Sequence, residues 1–308
     1  MSETMSQANS SSDSKTPAAD GLLKSASLHF VGCGVMAEAM IAGILHEKLI
    51  APQQIVGSHP RAERRTELES QYGIRMLADN REAVQLRGPA EPGKGSMVVL
   101  AVKPQRLKLV LEELSGSLSA DDLVVSIVAG AQLDTIIRAL RHSRVVRAMP
   151  NTPAQIGKGI TVWTATPEVD EGQRLLAGML FRALGRELQV EVERRVDMAT
   201  ALSATGPTYV FLFMEALIDA GVYLGFSRHD AQELVLETML GSVLFARESH
   251  KHPAELRNQV TSPGGTSAAA IYQMEKGAMR TVLSKAVYAA YQRALVLAGE
   301  VVDDLTEK

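Results

Sequence analysis

Between Leu28 and about Val190, short β-branched and aliphatic runs alternate with amphipathic stretches of helical period, and after about Glu193 the alternation stops. That change of period restricts the fold more than any other feature of the chain. The runs LHFVGCG, QQIVGSH, IRML, MVVLAV, DLVVSIVAG, RVVRAMP, TVWT and RELQV have the continuous apolar character of strands covered on both faces. Between them, a stretch from about Met36 to Lys48, another beginning near Arg61, and the segments DNREAVQLR, PQRLKLVLEEL and QLDTIIRALR read as helices. Alternation of this kind predicts a mainly parallel sheet with helices on its faces, an α/β Rossmann-like domain over residues 27–192. Residues 193–301 read instead as Ala-, Leu- and Met-rich helices broken near Gly225, Pro253 and Pro263, an all-α C-terminal domain. These helices are apolar around much of their circumference. A domain of about a hundred residues cannot bury such surfaces alone, so a homodimer through this half is expected, with a higher assembly of dimers left open.

At 308 residues and 46% hydrophobic content, the chain can fill two cores. Its formal net charge of −3 gives no reason to expect nucleic acid or an anionic membrane as partner. The single cysteine, Cys33, excludes an intrachain disulfide and suits a reducing, cytoplasmic setting. Residues 1–26, rich in Ser, Asp and Thr, and residues 302–308 are expected to be tails, and LRGPAEPGKGSM a surface insertion. The apolar segment PTYVFLFMEALIDAGVYLGF carries Glu215 and Asp219 four residues apart near its middle, which favours an interface or core helix over a membrane span.

Within the first half, FVGCGVMAEAM follows the first strand and carries the small residues of a dinucleotide fingerprint. Gly32 allows the tight turn, Gly34 lets a diphosphate approach the backbone, Val35 and Met36 open the helix, and Ala37 lets that helix pack closely. At the end of the second strand, where NAD-preferring proteins place an acid, IVGSHPRAERR offers Ser58, His59 and Arg61. A hydroxyl and a guanidinium suit a 2′-phosphate, so NADPH is the expected coenzyme, NADH remaining an option. Arg64 or Arg65 is expected on the solvated face of the next helix. The fourth and fifth strands end in LAVKPQ and SIVAGAQ, which puts Ala101, Val102, Lys103, Pro104, Ala129 and Gly130 on the ligand-binding rim. Gly130 there permits close backbone approach.

In the second half, QVTSPGGTSAAAIYQME breaks one helix and at once starts another. A helix start behind two glycines leaves N–H groups bare beside hydroxyls, a cradle for a carboxylate or phosphate.

Together, GCGVMAEAMIAGIL, LAVKPQ, MPNTPAQIGKGITVW, ALSATGPTYVFLFMEALIDAGVYLGF and HPAELRNQVTSPGGTSAAAIYQME resemble the pyrroline-5-carboxylate reductase family, in the family's order and from about residue 28 to 300. The resemblance implies hydride transfer from NAD(P)H to the cyclic imine Δ1-pyrroline-5-carboxylate, giving L-proline. By position it implies that Ser262, Gly265, Thr266 and Ser267 surround the substrate carboxylate, that Val260 is a substrate-binding residue, and that Thr200 stands beside the imine nitrogen and nicotinamide. It also implies that Glu193 lies near nucleotide and product, and Asn80 near the coenzyme phosphate. The chain departs from the family in Ser267, where threonine is usual, and in SATGPTY, where SGSGPAY is usual, changes that bear on substrate fit rather than on reaction type.

A protonated imine is already a good electrophile, so such a reduction needs orientation and a dry pocket more than a strong acid. No nucleophilic or metal-binding constellation is evident in the sequence. His250 and His252 read as a solvated turn and Cys33 as a small buried residue. Two alternatives are an NADP-dependent imine or β-hydroxyacid reductase, which would be expected to place a lysine in the early helical segment where this chain has none, and an NADPH-sensing regulator without turnover. Because the carboxylate cradle and the hydride site lie in different halves, each active site is expected to join the cradle of one chain to the coenzyme of its partner.

Overall fold

The computed structural model describes residues 26–86 and 96–300. The expected insertion therefore lies almost wholly outside the described residues, as do the expected tails except for Ala26. Ala26 is buried and its carbonyl accepts from Gln54 Nε2 at 2.8 Å, so this residue packs with the fold.

Eight strands form one sheet in the order β3-β2-β1-β4-β5-β6-β7-β8. They are β1 (Leu28–Val31), β2 (Ile55–Ser58), β3 (Arg75–Leu77), β4 (Met97–Leu100), β5 (Leu123–Ser126), β6 (Val145–Met149), β7 (Gly159–Ala165) and β8 (Gly185–Gln189). Pairing is parallel throughout except between β6 and β7, where Ala148 stands opposite Trp163. The first helices are α1 (Val35–His46), α2 (Ala62–Tyr72), α3 (Asn80–Gln85), α4 (Pro104–Leu114), α5 (Leu133–Leu140) and α6 (Glu171–Arg182). They cover both faces, as the continuous apolar strands require. Phe30, Met40, Ile41, Trp163 and Phe181 belong to one core cluster, and Val31, Val98, Leu111, Val124 and Ile136 to the other. The strand order reverses between β1 and β4, so the crevice at their carboxyl ends is the place for a ligand.

The second half consists of α7 (Arg194–Ala199), a π-helical turn (Thr200–Ala204), α8 (Gly206–Tyr223), α9 (Arg228–Ser249), α10 (Pro253–Gln259), α11 (Thr266–Lys276) and α12 (Met279–Leu297). The expected breaks fall between α8 and α9, α9 and α10, and α10 and α11. A further break, at Gly277 and Ala278, was not legible: a lone glycine is tolerated in a helical pattern, and here a non-glycine, Ala278, takes the left-handed conformation at φ 54°.

No residue of α8 or α11 is buried within the single chain, and Ala231 alone is buried in α9. Phe211, Leu212, Leu224, Val243 and Phe245 all stand more than half exposed. The core-helix reading of PTYVFLFMEALIDAGVYLGF is thereby excluded for the isolated chain, and the interface reading stands. By length and composition the helical run Arg194–Tyr223 is also long and apolar enough to cross a membrane, and it contains Glu215 and Asp219.

Candidate active site

The rim is built first from the turn after β1. Gly32 takes φ +88°, and a β-carbon there would lie 2.5 Å from Val102 Cγ1, so this glycine both turns the chain and lets β1 and β4 close together. The Gly32 and Cys33 N–H groups donate to the Ser58 carbonyl at 3.2 and 3.0 Å, anchoring the turn to β2. Gly34 caps α1 without a side-chain cap, and a β-carbon on it would meet nothing within 4 Å. The N–H groups of Val35, Met36 and Ala37, in the first turn of α1, have no partner within the helix. Open space before a bare helix start is the shape that a diphosphate requires, so the turn fits a dinucleotide.

An acid in that same first turn, Glu38, would oppose a diphosphate. Arg64 offsets it: its Nη2 is paired with Glu38, its Nη1 donates to Glu67 at 2.9 Å, and its Nε donates to the Cys33 carbonyl at 3.4 Å. These partners, Glu38 above all, push the Arg64 pKa further up. The expectation of a solvated Arg64 is corrected, since its side chain is only 13% exposed. Arg65 is likewise engaged, donating to the His59 and Pro60 carbonyls at 2.8 and 2.9 Å.

Arg61 stands exposed as the cap of α2, and its backbone N–H donates to His59 Nδ1 at 3.2 Å. Burial, together with the charges of Arg61, Arg64 and Arg65, lowers the His59 pKa. Ser58 requires a second correction. Its side chain is wholly buried and its hydroxyl donates to Asn80 Oδ1 at 2.7 Å and to the Phe30 carbonyl at 3.3 Å, so it supports Asn80 instead of facing a ribose phosphate. Asn80 in turn donates to Glu113 Oε2 at 2.8 Å. Cys33 is fully buried, and desolvation pushes its thiol up to about 12.

At the other end of the rim, Ala101 donates its N–H to the Val31 carbonyl at 2.9 Å, and Lys103 caps α4 ahead of Pro104. Gly130 takes φ +73°, and the group that approaches it is the Leu297 backbone at the end of α12, not open space for a coenzyme. Beside it, Ala129 packs with Met149, Val162, Val190 and Val196 in a small apolar cluster that also takes in Ala199 and Ala204. The π turn that carries Thr200, through Ala204, and the loop after β5, through Ala129, thus pack against one apolar cluster, and the turn also packs on α12. Within the turn the Thr205 N–H donates to the Thr200 carbonyl at 2.9 Å, and the Thr200 hydroxyl donates to the Val196 carbonyl at 2.9 Å. A π turn is uncommon and frequently marks a functional site, but a sequence such as ATALSAT gives no sign of it.

Sequence reasoning also missed Arg147 and Asp197. Arg147 lies wholly buried in β6 and is paired with Asp197 and, at 2.9 Å, with Glu193 Oε1. Glu193 Oε1 additionally accepts the Leu133 N–H at 2.8 Å, so this carboxylate group joins α5 to the start of α7. An arginine inside the strand run RVVRAM was the available signal, since a buried guanidinium demands a carboxylate partner.

The cradle of Ser262 to Ser267 is formed but stands apart. Val260 is 67% exposed, and Ser262 and Thr266 are exposed. The Gly265 N–H is taken up by the Ser262 carbonyl at 3.1 Å, so it is not free for a ligand as expected. The contribution of Gly265 is steric, because a β-carbon there would lie 2.5 Å from Ser262 Oγ. The N–H groups of Thr266, Ser267 and Ala268 at the start of α11 remain without helical partners. The helix α11 packs on α12. His250 and His252 end α9 and begin α10 as exposed turn residues, His252 Nδ1 accepting the Ala254 N–H at 3.2 Å.

A glycine turn at the switch point of a doubly wound sheet, followed by a helical module, defines a two-domain dinucleotide-dependent oxidoreductase. The family model described as pyrroline-5-carboxylate reductase dimerisation matches residues 193–297, and that described as NADP oxidoreductase, coenzyme F420-dependent, matches residues 27–130. Pyrroline-5-carboxylate reductase of Synechocystis is 40% identical over 267 residues, 87% of this chain and 96% of the relative. That of Pseudomonas aeruginosa is 39% identical over 272 residues, covering 88% of this chain and 96% of the relative. Among solved structures, Plasmodium falciparum pyrroline carboxylate reductase with NADP bound superposes with a TM-score of 0.80 at 28% identity, over 90% of this chain and 99% of that one. The Coxiella burnetii enzyme gives 0.78 at 34% identity, over 89% and 99%. The chain belongs to the pyrroline-5-carboxylate reductase family.

Proposed function

We propose that this protein reduces Δ1-pyrroline-5-carboxylate to L-proline, with NADPH as preferred hydride donor, in a site completed by a second copy of the chain. The observation that supports the reading is that Ala129, on the loop after β5, and Ala204, in the turn that carries Thr200, pack against one apolar cluster. Gly34 with the bare N–H groups of Val35, Met36 and Ala37 holds the diphosphate, and Arg61 pairs with the 2′-phosphate. Bound there, the dihydronicotinamide supplies the hydride.

The rest of the work belongs to the protein. The N–H groups of Thr266 and Ser267, with the hydroxyls of Ser262, Thr266 and Ser267, orient the substrate carboxylate. Thr200 stands beside the imine nitrogen as a hydrogen-bonding group, and the apolar residues around the turn exclude water. Such orientation is the main source of rate, since the protonated imine needs no strong acid. The exposed apolar faces of α8 and α9 supply the two-fold interface that brings the partner's cradle to this chain's rim.

The test is the loss of nicotinamide absorbance on adding synthetic pyrroline carboxylate to protein and NADPH. Turnover with proline as product is expected, and tight NADPH binding without turnover would return the protein to the regulator reading.

A further inference from the structure

Arg147 is among the largest side chains that the described residues bury completely, and it sits in the middle of a strand. Its Nη1 donates to Glu193 Oε1 at 2.9 Å and to Asp197 Oδ2 at 3.2 Å, while its Nη2 is paired with Asp197 Oδ1. Glu193 precedes α7 and Asp197 lies within it, so one guanidinium fixes that six-residue helix at two points. Through Glu193 the same group reaches the Leu133 N–H, three residues beyond Gly130. Just past β6, Asn151 accepts the Ile160 N–H at 2.9 Å and donates to the Ser203 carbonyl at 3.2 Å. The segment carrying Thr200 is thus held from β6 on both sides, by Arg147 before it and by Asn151 after it.

A buried ion cluster is a poor way to gain stability, because apolar residues of similar volume generally serve as well. What it offers is a fixed geometry, and a π turn has little of its own: its bonds are weak, and α7 is too short to hold a direction alone. We propose that Arg147, acting through Asp197 and Glu193, is a positioning residue for the reduction, setting where Thr200 stands at the end of α7 relative to the loop that leads to Leu133. This rests on the role given above to Thr200.

The test is a double-mutant cycle between Asp197→Asn and Thr200→Ala, read as kcat, KM for the imine, NADPH affinity by fluorescence, and melting temperature. Misplacing a reacting group by about 1 Å costs on the order of a hundredfold in rate, so Asp197→Asn is expected to lower kcat at least about tenfold while NADPH affinity changes less than about threefold. With Thr200 already truncated, the same substitution should cost less than about threefold, since residues acting through one another are not additive. Equal losses in both backgrounds, or an unchanged kcat in folded Asp197→Asn, overturn the positioning role and leave Thr200 its own. Wild-type kcat in Thr200→Ala removes the Thr200 reading and this proposal with it. Should Asp197→Asn fail to fold, the paired replacement Arg147→Met with Asp197→Leu leaves no charge unpaired between these two positions. It is expected to fold and bind NADPH with kcat reduced as above, and a wild-type kcat in it overturns the proposal.

Discussion

A β-carbon on Gly130 would lie 2.6 Å from both the carbonyl carbon and the carbonyl oxygen of Leu297, so the loop after β5 and the end of α12 close on each other over a bare glycine. Beside this contact, Gln132 Nε2 donates to Glu300 Oε1 at 3.3 Å. The last helix is therefore latched to the loop after β5, and Leu297 contributes backbone, which cannot rotate away as a side chain could.

Gly130→Ala should consequently destabilise the protein through two separate effects. A left-handed conformation at a non-glycine residue costs about 1–3 kcal/mol, and overpacking against backbone adds on the order of 1–3 kcal/mol. A clear drop in the denaturant midpoint at constant slope is expected. An unchanged midpoint would show that the loop and α12 separate freely.

The glycine also shows where sequence reading stops. That Gly130 needed a close neighbour was legible from its place at a strand end, but the neighbour was not, because Leu297 is remote in the chain. The eight strands and the run of helices that follows them were legible because periodicity is local. Ser58 and Arg64 were misread for one shared reason, a side chain already engaged by a partner remote in the chain, Asn80 and Glu38 respectively, whereas the Gly265 N–H is taken up locally, by the Ser262 carbonyl in the same turn. The π turn at Thr200 left no trace because its sequence is that of an ordinary helix.

The two arginines at the start of α2 should separate in a coenzyme titration. Arg61 is exposed and has no side-chain partner among the described residues, so Arg61→Ala should weaken NADPH by about 1.5–3 kcal/mol, the worth of a charge-assisted bond, and leave NADH nearly unchanged. Arg64 offsets Glu38 and holds the Cys33 carbonyl, so Arg64→Met should weaken both coenzymes alike. Equal weakening by Arg61→Ala would remove it from the 2′-phosphate.

Alkaline stability should carry the mark of Cys33, whose burial raises the thiol from 9.0 to about 12. A folded-state pKa above the unfolded one leaves stability intact below the unfolded value and erodes it above. Stability should therefore fall between pH 9 and 12, by up to about 1.4 kcal/mol per unit from this single group. Cys33→Ala should lose that part of the slope. Identical alkaline limbs in denaturant melts of the two proteins would show that the thiol ionises as readily folded as unfolded.

Mixed dimers test whether two chains share each site. Gly34→Asp places a carboxylate in the open space proposed for a diphosphate, and its β-carbon meets no atom within 4 Å, so it should fold while losing the coenzyme. Thr266→Asp places one at the exposed start of α11, where an acid suits the helix but competes with the substrate carboxylate. Each variant alone should be nearly inactive through like-charge repulsion. Unfolded and refolded together, half the dimers are mixed, and in each of these one site joins an undamaged rim to an undamaged cradle while the other contains both lesions. Activity should return to at most about a quarter of the wild-type value, the count a two-fold interface gives for random pairing and independent sites. No recovery, with mixed dimers proven by mass spectrometry, would place each complete site within one chain. The apolar faces of α8 and α9 would then serve assembly alone.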